Sequence, residues 1–185
     1  MKENKSPLNL IEDEDFLRQE QKDFIDRIFL SPNFPYYLNL SSVSEEDGNA
    51  YLSHTILRRP EERKQGETFI SNYSNQVVDI FKTFIIKNRV NTEELLRCNV
   101  NLCFKTKNKS CLPHNDHPYK HKQLIIYLND PIDKTSQTFL LSEDHEKILH
   151  KITPKQYKAV CFDSCPHYFN FPKKDIRVVL VYTFR

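Results

Sequence analysis

A short segment around residues 112–118 contains the residues best suited to bind a metal. One residue separates His114 from Asp116, and His167 follows 51 residues after Asp116. Two imidazoles and one carboxylate hold Fe(II) from one side and leave three coordination positions open. A 2-oxo acid can occupy two of those positions and dioxygen the third, whereas a cage of four thiolates would close the site. The residue types and their order therefore predict an iron centre formed by His114, Asp116 and His167.

A second candidate is Arg177, which lies ten residues after His167 in the apolar run at residues 176–182. A buried charge without a partner is costly, so an arginine in such a run requires an anionic partner. A dicarboxylate co-substrate would supply one, because a guanidinium group binds a carboxylate through two parallel hydrogen bonds. The alternatives are a structural ion pair with Asp or Glu, or an arginine that faces outward at the start of its strand.

The elements that position these residues change in character along the chain. Residues 1–12 are a polar lead-in, and apolar spacing predicts helices over 12–30 and 67–87, strands over 36–39 and 50–57, and a short turn at 93–96. Later runs rich in Val, Ile, Phe, Tyr and Thr predict seven strands over 97–105, 121–128, 138–141, 148–152, 158–163, 168–171 and 176–184. The pattern indicates an α+β fold, mainly β, in which the late strands form a barrel or sandwich and the supporting helices precede them in the chain. Residues at strand ends would converge at the mouth of a small barrel.

Composition excludes several classes of function. The 185 residues predict one domain, and no apolar run reaches the roughly 20 residues that a membrane span needs. The N-terminus lacks the apolar core of a secretory signal, which predicts a cytoplasmic protein. A net charge of +2 does not favour nucleic-acid binding through bulk charge, and two glycines leave no phosphate-binding loop. Five cysteines, an odd number, indicate buried reduced thiols; a zinc site is the alternative.

The chain from about residue 104 to 184 resembles the core of Fe(II)/2-oxoglutarate-dependent oxygenases, in particular the prolyl-4-hydroxylase-like branch. The matching positions are His114, Asp116 and Pro118, then Tyr127, Leu128 and Asn129, then Pro166, His167, Pro172 and Arg177. The resemblance implies a double-stranded β-helix, or jelly-roll barrel, in one oxygenase domain spanning residues 1–185. Residues 1–96 would supply helical support and N-terminal strands, and residues 97–185 the double-stranded β-helix core.

The resemblance also implies roles for individual residues. His114, Asp116 and His167 would bind Fe(II), and Arg177 would bind the distal carboxylate of 2-oxoglutarate with support from the Tyr127 hydroxyl. Several relatives hold 2-oxoglutarate with a tyrosine ten residues before the first histidine, where this chain has Phe104. Asn101 or Thr138 is expected to replace that tyrosine, unless the co-substrate lies differently.

The implied reaction is hydroxylation of a substrate C–H bond with dioxygen, coupled to decarboxylation of 2-oxoglutarate, with ascorbate as an optional further cofactor. A protein or peptide side chain is the preferred substrate, prolyl first. Demethylation of nucleic-acid bases ranks lower, because relatives of that kind carry two close arginines after the last histidine, whereas Arg177 and Arg185 are eight residues apart. Hydroxylation of a small molecule and an inert barrel that only binds ligands are further alternatives. No membrane partner is expected.

Three further histidines and two loops complete the candidates. His54 is expected to be a structural residue on a sheet face, with substrate binding as the alternative. His117 and His121 are expected either to face solvent or to donate hydrogen bonds behind the metal ligands. The exposed loops at residues 41–49 and 58–66 are where substrate specificity would arise.

Overall fold

The structure is a computed structural model that describes residues 8–45, 47–64, 69–132 and 134–185. The N-terminal part contains β1 (Leu10–Asp13), α1 (Gln19–Phe24) continued by a π-helical turn (Ile25–Phe29), β2 (Tyr37–Asn39), β3 (Tyr51–Leu57), a 3-10 turn (Pro60–Glu62) and α2 (Ser74–Asn88). The remaining strands are β4 (Leu95–Cys103), β5 (Lys122–Tyr127), β6 (Thr138–Leu141), β7 (Ile148–Ile152), β8 (Ala159–Asp163), β9 (His167–Phe169) and β10 (Arg177–Phe184). No helix in the described ranges combines the length and apolar character needed to cross a bilayer.

The strands form two antiparallel sheets. The larger sheet has seven strands in the order β1-β8-β5-β10-β4-β3-β2, and the smaller has three in the order β7-β6-β9. Ile125, Val160 and Val181 of the larger sheet share a buried cluster with Leu140 and Ile152 of the smaller one. The prediction of a mainly β fold with N-terminal helices is confirmed, and the seven late strands all form; closure of the sheets into a barrel stays a prediction.

Helix α2 covers the larger sheet and supports the strand that carries Arg177. Its buried residues recur at the spacing of one helical face, namely Val77, Ile80, Phe81, Phe84 and Ile85. The ring of Phe81 packs against that of Tyr182 in β10 with 5.2 Å between centroids. The Tyr182 hydroxyl donates a hydrogen bond of 2.8 Å to the carbonyl oxygen of Val77. Contacts with α2 therefore hold strand β10 in place independently of any ligand.

The first helix is shorter than predicted, and the predicted polar lead-in contains a strand. Residues 10–13 pair antiparallel with β8, with Ile11 opposite Cys161. Phe16 and Leu17 are buried although they precede the helix, which begins only at Gln19. The apolar residues before position 19 thus serve a sheet edge and the core rather than a helical face, so the predicted start at residue 12 was wrong.

The second helix also begins late, at Ser74 rather than residue 67. Residues 65–68 lie outside the described residues, but Phe69 forms a bridge with Leu57, and the Ile70 amide donates a hydrogen bond of 3.0 Å to the Ile56 carbonyl. This pairing with the end of β3 competes with helix formation. The turn predicted at 93–96 was wrong in its second half, because β4 begins at Leu95.

Candidate active site

Two chain segments bring the three predicted metal ligands together. His114 and Asp116 lie in the loop between β4 and β5, and His167 begins β9. The amides of His114 and His167 each donate a hydrogen bond of 3.0 Å to the other residue's carbonyl oxygen. This pairing places one potential ligand atom from each of His114, Asp116 and His167 within 4.8 Å of the others. Over the described ranges this is the only such group, so the cysteines form no metal cluster there.

Main-chain carbonyls orient both imidazoles toward a common point. The Nδ1 atom of His114 lies 3.0 Å from the Leu112 carbonyl oxygen, and that of His167 lies 3.1 Å from the Cys165 carbonyl oxygen. A carbonyl only accepts, so each Nδ1 carries the proton and each Nε2 is the ring nitrogen with a lone pair for a metal. Burial, reinforced by the nearby His114, lowers the pKa of His167 to about 4. The His167 imidazole is therefore neutral at pH 7, the form that binds metals.

Two arginines hold the carboxylate of Asp116. Arg97 Nη1 donates a hydrogen bond of 2.8 Å to Asp116 Oδ1, and Arg59 Nη2 lies 3.5 Å from the same oxygen. The other carboxylate oxygen, Oδ2, lies 3.7 Å from His167 Nε2. Burial alone would raise the pKa of Asp116, but Arg97, the two imidazoles and Arg59 hold it well below its usual range. Asp116 is thus an anion with one oxygen anchored and one left facing the imidazoles.

Replacement of Arg97 by glutamine is expected to weaken Fe(II) binding by about 10- to 100-fold, the usual effect of losing a group that orients a metal ligand. The reason is that Oδ1 of Asp116 would lose its 2.8 Å partner and the carboxylate could rotate. Anaerobic competition with a coloured chelator measures the affinity. Arg63→Gln is the matched control, because Arg63 donates to the carbonyls of Leu95 and Leu96 instead. Equal Fe(II) affinity in Arg97→Gln and the native protein would contradict the anchoring role.

A cavity of about 420 Å³ opens beside the ligands and is lined by both sheets. Its wall includes the triad together with Thr138, Phe169 and Arg177. Apolar side chains from neighbouring strands of the larger sheet complete the inner wall, namely Ile125, Val179 and Val181. The cavity is of the size that holds a small cofactor or co-substrate.

Arg177 is buried in this wall without an acidic partner. Its side chain is 3% exposed, and its Nη2 donates a hydrogen bond of 3.1 Å to Thr138 Oγ1. Its Nε has no hydrogen-bond partner, and its guanidinium carbon lies 4.4 Å from the centre of the Phe169 ring. No Asp or Glu among the described residues pairs with it. Among the described residues, neither alternative for Arg177 fits: it forms no ion pair with Asp or Glu, and its side chain does not face outward.

The other three predicted co-substrate residues take different positions. Thr138 and Asn101 line the cavity, and Asn101 Oδ1 is buried without a hydrogen-bond partner. Tyr127 does not line it; its hydroxyl lies 2.8 Å from Thr138 Oγ1, and its ring lies 5.5 Å from the Arg177 guanidinium carbon. Tyr127 is therefore placed to position Thr138 and Arg177 rather than to touch a ligand.

Phe104, at the position of the absent tyrosine, is half-buried and lies outside the cavity lining. The residue before it, Cys103, lines the cavity and pairs with Arg177 in the β4–β10 register. From the opposite side Tyr51 of β3 also reaches the lining. The cavity lining thus contains a thiol and Tyr51 but not the side chain at position 104, where the resemblance leads one to expect a tyrosine.

The cavity residues that sequence reasoning missed include Tyr51, Arg97 and Gln123, while Arg59 was expected only as part of an exposed loop. Arg97 could have been found from the alternation along its strand. Residues 97, 99, 101 and 103 lie on one face, opposite the apolar face. Gln123 is buried with Oε1 lacking a partner, and its Nε2 lies 3.4 Å from His167 Nε2. Gln123 belongs to the larger sheet and His167 to the smaller one, so no local pattern reveals that they are neighbours.

The remaining histidines lie outside the cavity lining. His54 is buried, with Nδ1 2.9 Å from the Pro35 carbonyl oxygen and Nε2 2.8 Å from Ser71 Oγ, as expected of a structural histidine. His117 and His121 are buried rather than solvent-facing, and their ring centroids are 4.9 Å apart. His117 Nε2 lies 2.7 Å from Thr183 Oγ1. Neither ring bonds to a metal ligand in the described structure.

The two loops expected to determine specificity both reach the cavity. Ser42 and Val43 line it from the first loop, and Arg59 and Glu62 from the second. The carboxylate of Asp47 organises the first loop by accepting hydrogen bonds of 2.7 Å from the Val43 amide and 2.9 Å from the Asn49 amide. Position 46 and positions 65–66 of these loops lie outside the described residues.

Comparison with solved structures identifies proteins of the same fold. An oxidoreductase of the 2OG-Fe(II) oxygenase family from Burkholderia pseudomallei aligns with a TM-score of 0.72 and 16% identity over 95% of this chain and 84% of its own. A Pseudomonas putida prolyl-4-hydroxylase aligns with a TM-score of 0.61 and 16% identity over 96% and 93%. A Trichoplax adhaerens prolyl hydroxylase, in complex with a peptide fragment of the hypoxia inducible factor oxygen degradation domain, aligns with a TM-score of 0.60 and 14% identity over 95% and 82%.

These likenesses establish the fold alone, because the identities are low. No protein-family profile matches the sequence. A search of curated proteins also found no match. The expected similarity to 2-oxoglutarate/iron oxygenases and prolyl-4-hydroxylases is confirmed at the level of structure, with nearly the whole chain aligned.

Proposed function

We propose that this chain, sharing the jelly-roll fold of 2-oxoglutarate/iron oxygenases, is itself an Fe(II)- and 2-oxoglutarate-dependent dioxygenase that hydroxylates a C–H bond. Residues 1–185 would form its single oxygenase domain. One observation carries the proposal: a cavity of about 420 Å³ contains both the His114–Asp116–His167 group and a buried arginine that has no acidic partner among the described residues. A structural role does not account for Arg177, whose Nε is buried without a hydrogen-bond partner, and three potential metal-ligand atoms converge in the same cavity.

The donor set fits Fe(II). His114 and His167 would each bind through Nε2, since their Nδ1 atoms are engaged by carbonyl oxygens. Asp116 would bind through Oδ2, since Arg97 holds Oδ1. Two neutral imidazoles and one carboxylate leave a net charge of +1 on a bound Fe(II) centre, which suits an anionic co-substrate.

The opposite wall fits the far carboxylate of 2-oxoglutarate. The Arg177 guanidinium would bind it, with Nε supplying a donor that has no protein partner. Thr138, which receives a hydrogen bond from Arg177 Nη2, can donate its own hydroxyl proton only toward Tyr127 or a ligand. Asn101 Oδ1 and Gln123 Oε1, both buried and unpartnered, only accept hydrogen bonds, so they would bind water beside the co-substrate.

When bound, iron and 2-oxoglutarate supply the oxidising chemistry, in which co-substrate decarboxylation is coupled to activation of dioxygen. The protein's own contribution is to orient the bound metal and co-substrate and to exclude water. Ile125, Val179 and Val181 form an apolar wall beside the ligands. Such a wall strengthens the charge interactions of Arg177 and Asp116 by keeping water out.

A protein or peptide side chain is the proposed substrate, with proline preferred. The support is analogy: two solved neighbours are prolyl hydroxylases, and one of them is a complex with a peptide fragment. The nucleic-acid alternative loses support, because Arg185 lies outside the cavity lining and bonds to Glu94 at 2.8 Å. No observation favours a small-molecule substrate over a peptide.

Anaerobic titration with Fe(II) and 2-oxoglutarate tests the proposal. Chelation of the metal by the co-substrate should give a weak visible charge-transfer band in the native protein. Asp116→Ala should abolish the band, while Asp163→Ala, an acidic control outside the cavity, should retain it. If the native protein shows no band with Fe(II) and forms no succinate in air, the result would support an inert binding module instead.

A further inference from the structure

A second cleft, of about 380 Å³, is strongly basic although the whole chain has a net charge of only +2. We call it the basic cleft and define it by five exposed lysines: Lys105, Lys107, Lys109, Lys134 and Lys173. No Asp or Glu among the described residues lines it. Within the same ranges Lys105, Lys107, Lys109 and Lys134 form no ion pair. The ammonium groups of these four lysines repel each other, which favours binding of an anion in the cleft.

The basic cleft is built on an anchored backbone. The Phe171 amide donates a hydrogen bond of 2.9 Å to the Lys109 carbonyl oxygen. The Asn170 amide donates one of 2.9 Å to the Gln137 carbonyl oxygen. Asn108 Nδ2 donates one of 2.8 Å to Asn49 Oδ1, in the loop that Asp47 organises. The lysines therefore project from a fixed surface, which reduces the entropy lost when a partner binds.

The basic cleft adjoins the cavity of the candidate active site. Neighbouring positions of the same strands and loops line the two spaces: Cys103 and Lys105, Thr138 and Gln137, Phe169 and Asn170, with the first of each pair in the cavity. Two residues along a strand span roughly 7 Å. The loop that contacts Asn108 also supplies Ser42 and Val43 to the cavity. A polypeptide that passes over this loop to the candidate metal ligands could continue into the basic cleft.

We infer that the basic cleft binds an acidic segment of a polypeptide substrate, next to the residue that the active site modifies. This inference rests on the proposed function, because that function places the modified residue in the adjoining cavity. Binding of the acidic segment itself does not require turnover. Lysine ammonium groups attract carboxylates as point charges. The lining also offers Asn108, Gln137 and Asn170, whose amides can hydrogen-bond to a peptide backbone.

The lining favours acidic polypeptide over nucleic acid. Sites for single-stranded nucleic acids combine positive charge with aromatic side chains on which bases stack. The one aromatic residue of the basic cleft, Phe171, is 3% exposed and gives no stacking surface. No described arginine lines the cleft either, although arginine is the usual bidentate ligand for phosphate and guanine.

Fluorescence anisotropy with the full-length protein tests the inference. The probes are a fluorescein-labelled deca-glutamate peptide, an uncharged Gly-Ser peptide of equal length and a labelled dT10 oligonucleotide. The native protein should bind deca-glutamate, should not bind the Gly-Ser peptide, and should lose affinity as salt rises from 50 to 300 mM. The variant Lys105→Glu/Lys107→Glu/Lys109→Glu should bind deca-glutamate roughly tenfold more weakly, since exposed pairs contribute little individually.

The matched control is Lys82→Glu/Lys147→Glu/Lys151→Glu, which changes net charge equally at exposed positions outside the basic cleft. An equal loss of deca-glutamate affinity in this control would show that the effect comes from net charge alone, and would overturn the inference. Tighter binding of dT10 than of deca-glutamate would also overturn it, as would no binding of either probe. Because no iron or 2-oxoglutarate is added, specific deca-glutamate binding would stand even if the chain failed to turn over, which separates this inference from the proposed function.

Discussion

His167→Ala should abolish Fe(II) binding and turnover while leaving the fold intact. The variant removes one of three ligand atoms that lie within 4.8 Å of each other. Loss of a residue that only orients a ligand costs about 10- to 100-fold in metal affinity, so loss of a ligand itself should cost more than about 100-fold. The structural cost is small by comparison: one hydrogen bond to the Cys165 carbonyl and a small cavity, about 1–3 kcal/mol.

The readouts are Fe(II) affinity under anaerobic conditions, succinate formation in air, and the free energy of unfolding in urea. His54→Ala is the matched control, because His54 is equally buried but makes its hydrogen bonds to Pro35 and Ser71. That variant should lose about 2 kcal/mol of stability, from two hydrogen bonds and the ring contacts, and keep its Fe(II) affinity. Retained turnover in His167→Ala would remove His167 from the triad.

The candidate metal ligands could be selected from the sequence because two of them lie in one triplet and the chemistry of the set is narrow. One triplet supplies His114 and Asp116, and the single distant partner, His167, stands at the start of a β-rich run. The seven late strands were also predictable, since alternation and β-branched residues report a pleated, half-buried surface directly. What these patterns could not give is the pairing order, in which β10 lies between β4 and β5.

The missed residues depend on that pairing. Arg59 reaches Asp116 from a segment 57 positions earlier in the chain, so no local pattern joins them. The errors at the helix starts have a related cause. Asp13 and Ile70 fall within the predicted helices, yet they pair with β8 and with the end of β3 instead. Tertiary pairing overrides local propensity at such positions.

Arg177→Leu should raise the concentration of 2-oxoglutarate needed for half-saturation by about 30-fold or more. Removing one member of a buried, hydrogen-bonded charge pair costs about 2–5 kcal/mol of binding free energy, and 1.4 kcal/mol corresponds to a tenfold change. Arg177 is the only arginine of the cavity wall, within the described structure, that is not engaged by Asp116. No other described cation that lines the cavity is therefore free to take over the far carboxylate.

Stability supplies an independent test of the same assignment. Breaking a buried ion pair destabilises a protein by about 3–5 kcal/mol, whereas removing a buried cation without an acidic partner is neutral or stabilising. Arg177 belongs to the second case, because its hydrogen bond is to Thr138 and its Nε has no partner. Urea unfolding of the ligand-free Arg177→Leu variant should therefore show no loss of stability beyond about 1 kcal/mol, the value of one hydrogen bond.

Two further variants separate charge from geometry. Arg177→Lys keeps the positive charge but loses the planar fork, so its 2-oxoglutarate requirement should fall between those of the native protein and Arg177→Leu. Arg185→Leu is the control at the far end of β10, where the exposed side chain bonds to Glu94, and it should leave the requirement unchanged. A native-like requirement in Arg177→Leu would place the co-substrate anchor elsewhere. A stability loss of 3–5 kcal/mol would instead mean that the partner of Arg177 is part of the protein, since only a broken buried pair has that cost.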